Sequence, residues 1–198
     1  MLLFSLELDL FCAGLILVPF FLLLNRFRFR DLTKAALYCV FSLYLVAVYH
    51  LVGLPCITYI NPGVNLNLIP LVGMAGDLRS TLLNVALFIP LGILLRLLWK
   101  PFRNGSRAIL FGFGLSLCIE LLQLLTLRAT DINDLITNTL GTFLGFLLAG
   151  LLVARTPPGR MEGYDNRWDA HLLCGLVFAV MFFADPYIFT FFWNLILH

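Results

Sequence analysis

An all-α, polytopic transmembrane bundle of about six helices is the fold class predicted by this sequence, and three observations carry that reading. First, 61% of the 198 residues are hydrophobic and only 12% are charged, with a mean hydropathy of +0.98. A water-soluble domain of this size exposes too much surface to hide so much apolar matter. Second, the apolar residues fall into roughly six runs, each near the ~20 residues that a helix needs to cross about 30 Å of hydrocarbon. Third, the basic residues gather in alternate connections between those runs.

The runs cover approximately residues 8 to 25, 35 to 54, 80 to 99, 108 to 127, 135 to 154 and 170 to 197. Each is read as helix, because hydrocarbon offers no partner to an unpaired backbone group and the runs are far longer than barrel strands. The first, LDLFCAGLILVPFFLLLN, has acids before it and lacks a basic leader and a small-residue cleavage site, so it is expected to remain as a span rather than be removed as a signal peptide. The whole chain, 1 to 198, reads as one transmembrane domain.

Lysine and arginine in short loops sort to the cytoplasmic side. The first connection holds Arg26, Arg28, Arg30 and Lys34, the third Arg96, Lys100, Arg103 and Arg107, and the fifth Arg155, Arg160 and Arg167: eleven of the thirteen basic residues. Both termini and the second and fourth connections are therefore expected outside the cytoplasm. Trp99 and Trp168 are expected as interfacial anchors on the cytoplasmic side. Arg79 and Arg128 are the two exceptions, and both adjoin unusual polar residues.

Those residues concentrate in ELLQLLTLRATDINDLITNTLG, residues 120 to 141. Glu120 and Gln123 are three apart and share a helix face. A carboxylate at that depth must face protein or water, and it is either a functional group or a hydrogen-bonded tie within the bundle. Asp131, Asp134, Asn138, Gly141 and Gly145 follow a three-four spacing, one face of a helix. Asp131 admits two readings, since TDIND before an apolar run is also a helix start with Thr130 or Asp131 as cap. GTFLG lets another helix approach closely, and the helix carrying Asn84 is the expected partner.

The candidate binding set is thus Arg79, Asn84, Glu120, Gln123, Arg128, Asp131, Asp134 and Asn138. The arginines suit bidentate contact with phosphate or carboxylate, and Glu120, Asp134 and Arg128 are the candidates should any reaction be catalysed. Pro90 bends the third helix by removing a backbone bond, and Asp185-Pro186 marks a kink or a break in the sixth run. The second connection, rich in Pro and Gly, reads as a plain loop or as a lid that re-enters the membrane at LNLIPLVG. The five cysteines lack metal-ligand spacing and read as small core residues. His50, His171 and His198 sit at segment ends and read as interfacial. No metal, cofactor or nucleic-acid partner is implied, and sequence signatures of nucleotide, hydrolase and metalloprotease chemistry are lacking.

NLIP (67 to 70), NVALFIPLG (84 to 92), ELLQ (120 to 123) and the run Arg128, Asp131, Asp134, Asn138, Gly141 resemble, in that order, the VanZ-like family of small bacterial membrane proteins, over a core of about residues 65 to 150. The resemblance implies a multi-pass protein of the bacterial cytoplasmic (inner) membrane, associated with low-level resistance to teicoplanin, a lipoglycopeptide. On matching positions it points to Asn84, Glu120, Gln123, Arg128, Asp131, Asp134 and Asn138. Two departures stand out: Asn133 where many relatives have an acid, and Leu127 where a glycine is frequent. The leading expectation is a non-enzymatic pocket that binds membrane lipid, a lipid-linked cell-wall precursor or a lipoglycopeptide. The alternative is a membrane hydrolase or transferase acting on a lipid headgroup, with Glu120 or Asp134 as general base and Arg128 on phosphate.

Overall fold

A computed structural model describes residues 2–62, 66–67, 69, 78–126, 130–154 and 163–197. It contains the helices α1 (Leu2–Leu24), α2 (Leu32–Val52), α3 (Leu78–Leu98), α4 (Gly105–Gln123), α5 (Ile132–Ala154), α6 (Trp168–Ala179) and α7 (Asp185–Leu197). Among the described residues six helical segments are long and apolar enough to cross a membrane, the last formed by α6 and α7 together. Large apolar side chains stand exposed along them, among them Leu22, Leu82, Leu110, Leu121, Leu151 and Leu172. Water would not support such a surface, whereas lipid does. The chain forms two compact units, residues 1–60 with 170–198, and residues 61–169.

In the first unit α1 and α2 are an antiparallel pair. After α1 the backbone runs through a π-helical turn, Asn25–Phe29, to Arg30, whose φ of 53° reverses the chain. Asp31 then starts α2, its carboxylate accepting the Thr33 and Lys34 amides at 2.9 and 3.2 Å, as an N-cap does for a helix's orphan donors. Gly53 ends α2 with φ 63°, a left-handed conformation that glycine adopts without a side-chain penalty. The two helices pack together, with Leu8, Cys12, Ala13 and Leu17 of α1 buried and Tyr38, Phe41, Leu45 and Val46 of α2 buried.

Asp185-Pro186 breaks the last span in two. A π-helical segment, Val180–Ala184, joins α6 to α7. Pro186 has no N–H to give the carbonyl four residues back, and that carbonyl, on Phe182, accepts Ile57 N–H at 3.0 Å. The break is thus used: it holds the segment after α2 against the sixth span.

In the second unit α5 is the central helix, packed along α3 on one side and α4 on the other. The α3 seam runs parallel. A Cβ built on Gly141 would meet Val85 O at 2.3 Å, and one on Gly145 would meet Ile89 O at 2.0 Å. From the other side, one on Gly92 would meet Thr142 O at 2.0 Å. Backbone lies on backbone, which only the small residues of GTFLG and PLG permit. The expected approach of the Asn84 helix to this glycine stripe is therefore found, and Pro90 lies within α3 beside it. Lower on the seam Arg96 lies with its guanidinium 4.2 Å from the Phe146 ring centre and donates to Phe146 O at 2.9 Å. The α4 seam is antiparallel, with Gly112 against the Thr142 side chain.

Three expectations are corrected. Trp99 is not an interfacial anchor: it is fully buried, edge-on to Phe102, beneath a strand-like bridge in which Tyr164 N–H donates to Leu98 O and Lys100 N–H to Tyr164 O. Trp168 stays exposed. Of the cysteines Cys12 is buried, but Cys118 is exposed and the rest are half-buried. His50 lies in the last turn of α2, as expected, but its side chain is turned inward, 2.5 Å from Asp9, with both side chains largely covered.

Candidate functional site

The polar residues singled out in the sequence lie where α3 and α5 begin and α4 finishes. Ile132 opens α5, and the residue before it, Asp131, turns its carboxylate onto the Asn133 amide at 2.8 Å. That is the N-cap geometry, which satisfies one of the first-turn donors. The backbone N–H of Asp131 itself donates to Glu120 Oε2 at 2.9 Å. One buried carboxylate from the end of α4 thus holds the residue that starts α5. Glu120 is 4% exposed, and a polar group so covered requires hydrogen-bond partners.

Asp134, one turn into α5, accepts Asn84 Nδ2 at 2.6 Å. This contact ties the upper end of α3 to α5, in line with the glycine seam below it. A turn deeper, Asn138 donates to Ser116 Oγ at 3.0 Å, while Asn138 Oδ1 is buried and has no hydrogen-bond partner among the described residues. Thr142 in turn donates to Asn138 O at 3.1 Å. Gln123 is 5% exposed and lies on the Glu120 face of α4; the carbonyl of Gln123 takes the Thr126 hydroxyl at 2.9 Å.

Two short strands border this end. β1 (Leu66–Asn67) pairs in parallel with β2 (Thr130–Asp131), Leu66 aligned with Thr130 and Asn67 with Asp131. Asn67, the first residue of NLIP in the connection expected as loop or lid, therefore stands beside the α5 cap. Asn61 N–H to Leu125 O, at 2.9 Å, fixes the same connection to the end of α4.

Of the eight residues predicted, Asn84, Glu120, Asp131 and Asp134 are linked in two hydrogen-bonded pairs, and Gln123 and Asn138 are buried beside them. Arg79 is exposed at the first turn of α3. Arg128 lies outside the described residues. Three further residues are buried at this end: Asn133, which the sequence marks only as a departure from the family pattern, and Ser116 and Thr137, to which it gives no role. Ser116 was findable, being four residues before Glu120 and so on the same helix face. Thr137 was not, because a hydroxyl that bonds carbonyls of its own helix is at home on any face of that helix. Among the described residues no group of three or more His, Cys, Asp or Glu side chains is arranged to hold a metal ion.

Fold and site together define a multi-pass membrane protein whose third, fourth and fifth spans meet at a buried, hydrogen-bonded polar end. Residues 41–153, more than half of the chain, match the family model described as VanZ/LLP1, and the chain belongs to that family. Protein VanZ of Enterococcus faecium is 42% identical over 88 residues, 44% of this chain and 53% of that protein. The chain therefore spans about half the length of that curated relative. No solved structure matches.

Proposed function

We propose that the polar end of α3, α4 and α5 binds the headgroup of an amphipathic molecule, a membrane lipid, a lipid-linked cell-wall precursor or a lipoglycopeptide, and that this binding lowers susceptibility to teicoplanin-type antibiotics. The single observation that carries the reading is the convergence of Asn84, Glu120, Asp131 and Asp134 from three spans. Amide and carboxylate groups at one bundle end suit the hydroxyls and amides of such a headgroup, and Arg79 and Arg128 suit its phosphate or carboxylate. The basic residues of the other loops support an outward-facing end, in a bacterial cytoplasmic membrane. Asn138 Oδ1, buried and without a hydrogen-bond partner among the described residues, is an acceptor left over for a ligand donor.

The test is expression in a susceptible host of the parent chain, Arg128→Ala and Glu120→Ala, with membrane levels matched. A rise in the teicoplanin concentration needed to stop growth is expected for the parent and not for either variant. No rise with the parent refutes the resistance role, and full resistance in both variants refutes the binding end.

A second reading, a hydrolase or transferase acting on a lipid headgroup, is favoured by Asp134, a carboxylate held by Asn84 and open enough to be half-buried. There Asp134 is the general base. Turnover of a phospholipid by the purified chain, lost in Asp134→Asn, is its expected signature; no turnover by the parent removes it.

A further inference from the structure

The first unit holds a largely apolar cavity, with a few polar groups on its wall, that the function proposed above does not use. Its volume is about 250 Å³, and its walls include Asp9, Tyr49, His50, Asp185 and Phe189. The carboxylates come from α1 and from the first residue of α7, and the histidine from the last turn of α2. His50 Nδ1 lies 2.5 Å from Asp9 Oδ2, and Ser5 Oγ lies 3.5 Å from His50 Nε2, so the imidazole is held between two partners. Tyr49 donates its hydroxyl to Pro55 O. Asp185 is different. It is 5% exposed, and its Oδ1 is buried with no hydrogen-bond partner among the described residues.

A carboxylate inside an apolar span is costly unless something answers it. His50 answers Asp9. No lysine or arginine lines the cavity to answer Asp185. Among the described residues no three His, Cys, Asp or Glu side chains are grouped to hold a metal ion, and the space is many times the roughly 30 Å³ of one water. Met181, Leu54 and Phe189 supply apolar wall on the same cavity. What fits is a cation that is also a hydrogen-bond donor and carries a short apolar chain. A quaternary ammonium would leave Oδ1 without a donor, and a neutral alcohol would bring a donor without a charge to complement a carboxylate. The backbone is shaped for the site as well: the π-helical segment before Asp185 and the Ile57 to Phe182 bond hold the α2 exit over the break, and π segments recur at functional sites.

We propose that this cavity binds a primary ammonium group on a short alkyl chain, its N–H donors on Asp185 and its chain along Met181 and Phe189. The ammonium can belong to a free amine or to a lipid ethanolamine headgroup. The probe is n-butylammonium chloride, titrated calorimetrically into the full chain in nonionic detergent at constant ionic strength, with n-butanol and tetramethylammonium chloride beside it. Saturable binding of one n-butylammonium per chain is expected, with none of n-butanol and weaker binding of tetramethylammonium. Asp185→Asn removes a charge-assisted bond and is expected to weaken n-butylammonium binding by about tenfold or more. Equal binding of n-butanol, no binding of n-butylammonium, or undiminished binding in an Asp185→Asn protein with parental circular dichroism overturns the proposal. If Asp185→Asn does not fold, the comparison of the amine with the alcohol on the parent chain decides alone. Repeating the titration in nanodiscs separates the sources: weaker amine binding in phosphatidylethanolamine than in phosphatidylcholine upholds the site with a lipid occupant, and equal binding upholds it with a free amine.

Discussion

Replacing Gly145 by alanine probes the contact on which the second unit is built. A Cβ there would sit 2.0 Å from Ile89 O, and within 3.1 Å of Ile89 C and Cα, whereas ordinary contact begins at 3.4 Å. The obstacle is helix backbone, which cannot swing aside as a side chain can. Relief requires α3 and α5 to part by roughly 1.4 Å at this level, and a radial gap of about 0.5–1 Å already forfeits a quarter to a half of a dispersion contact. The close approach would also lose Cα–H to carbonyl contacts, worth about 0.5–1 kcal/mol each. Overpacking of a fitted interior typically costs about 1–3 kcal/mol, so Gly145→Ala is expected to destabilise by about 2–3 kcal/mol. Gly114 is the control, since a Cβ on it meets nothing within 4 Å, and Gly114→Ala should be neutral or slightly stabilising. Unfolding in mixed micelles of nonionic detergent and dodecyl sulfate, followed by circular dichroism, measures both. Equal stability of the two variants would refute the seam and with it the alignment of Asn84 on Asp134.

The hydrogen-bonded pairs make further predictions. Glu120→Gln keeps an acceptor for the Asp131 amide and should leave stability within about 0.5 kcal/mol of the parent, whereas Glu120→Ala strands that donor and should cost about 1–3 kcal/mol; the same micelle titration reads the difference. A double-mutant cycle of Asn84→Ala and Asp134→Ala should return a coupling of about 0.6–1.7 kcal/mol, the range found for side-chain bonds inside membranes, and zero coupling would separate the two residues. Arg96→Met should destabilise by about 1–2 kcal/mol through loss of the Phe146 carbonyl bond and the ring contact, while Arg107→Met, on an exposed residue, should not.

Much of the fold was legible in one dimension because the solvent imposes it. Hydrocarbon demands about 20 apolar residues per span, and the six runs met that demand, with α1 beginning at Leu2 rather than at residue 8 and the other boundaries close to those expected. The glycine stripe at Gly141 and Gly145 was legible too, since a three-four spacing on a helix defines a face whatever lies opposite. Depth was less so. Trp99 carries the amphipathic ring expected at an interface, but the Tyr164 segment folds over it, a contact 65 residues away in sequence. Hydropathy says that a residue is apolar and not whether lipid or protein covers it.

The candidate site divides the same way. Composition alone marked Glu120, Asp131, Asp134 and Asn138 as polar groups that apolar spans must accommodate, and spacing turned them to common faces. Which partner each takes was decided by tertiary packing: Glu120 by the backbone amide of Asp131, Asp134 by Asn84, Asn138 by Ser116. Asp9, His50 and Asp185 show the limit most clearly. They stand in three different spans, as far as 176 positions apart in the chain, and no local pattern relates them. The sequence by itself determined a six-span helical membrane protein with polarity concentrated at particular helix ends, because burial of backbone and charge is governed by local composition. Only the tertiary structure decided which of those polar groups meet, because that depends on helix register, and register is set by close glycine contacts and by the break at Pro186 rather than by any one segment's own sequence.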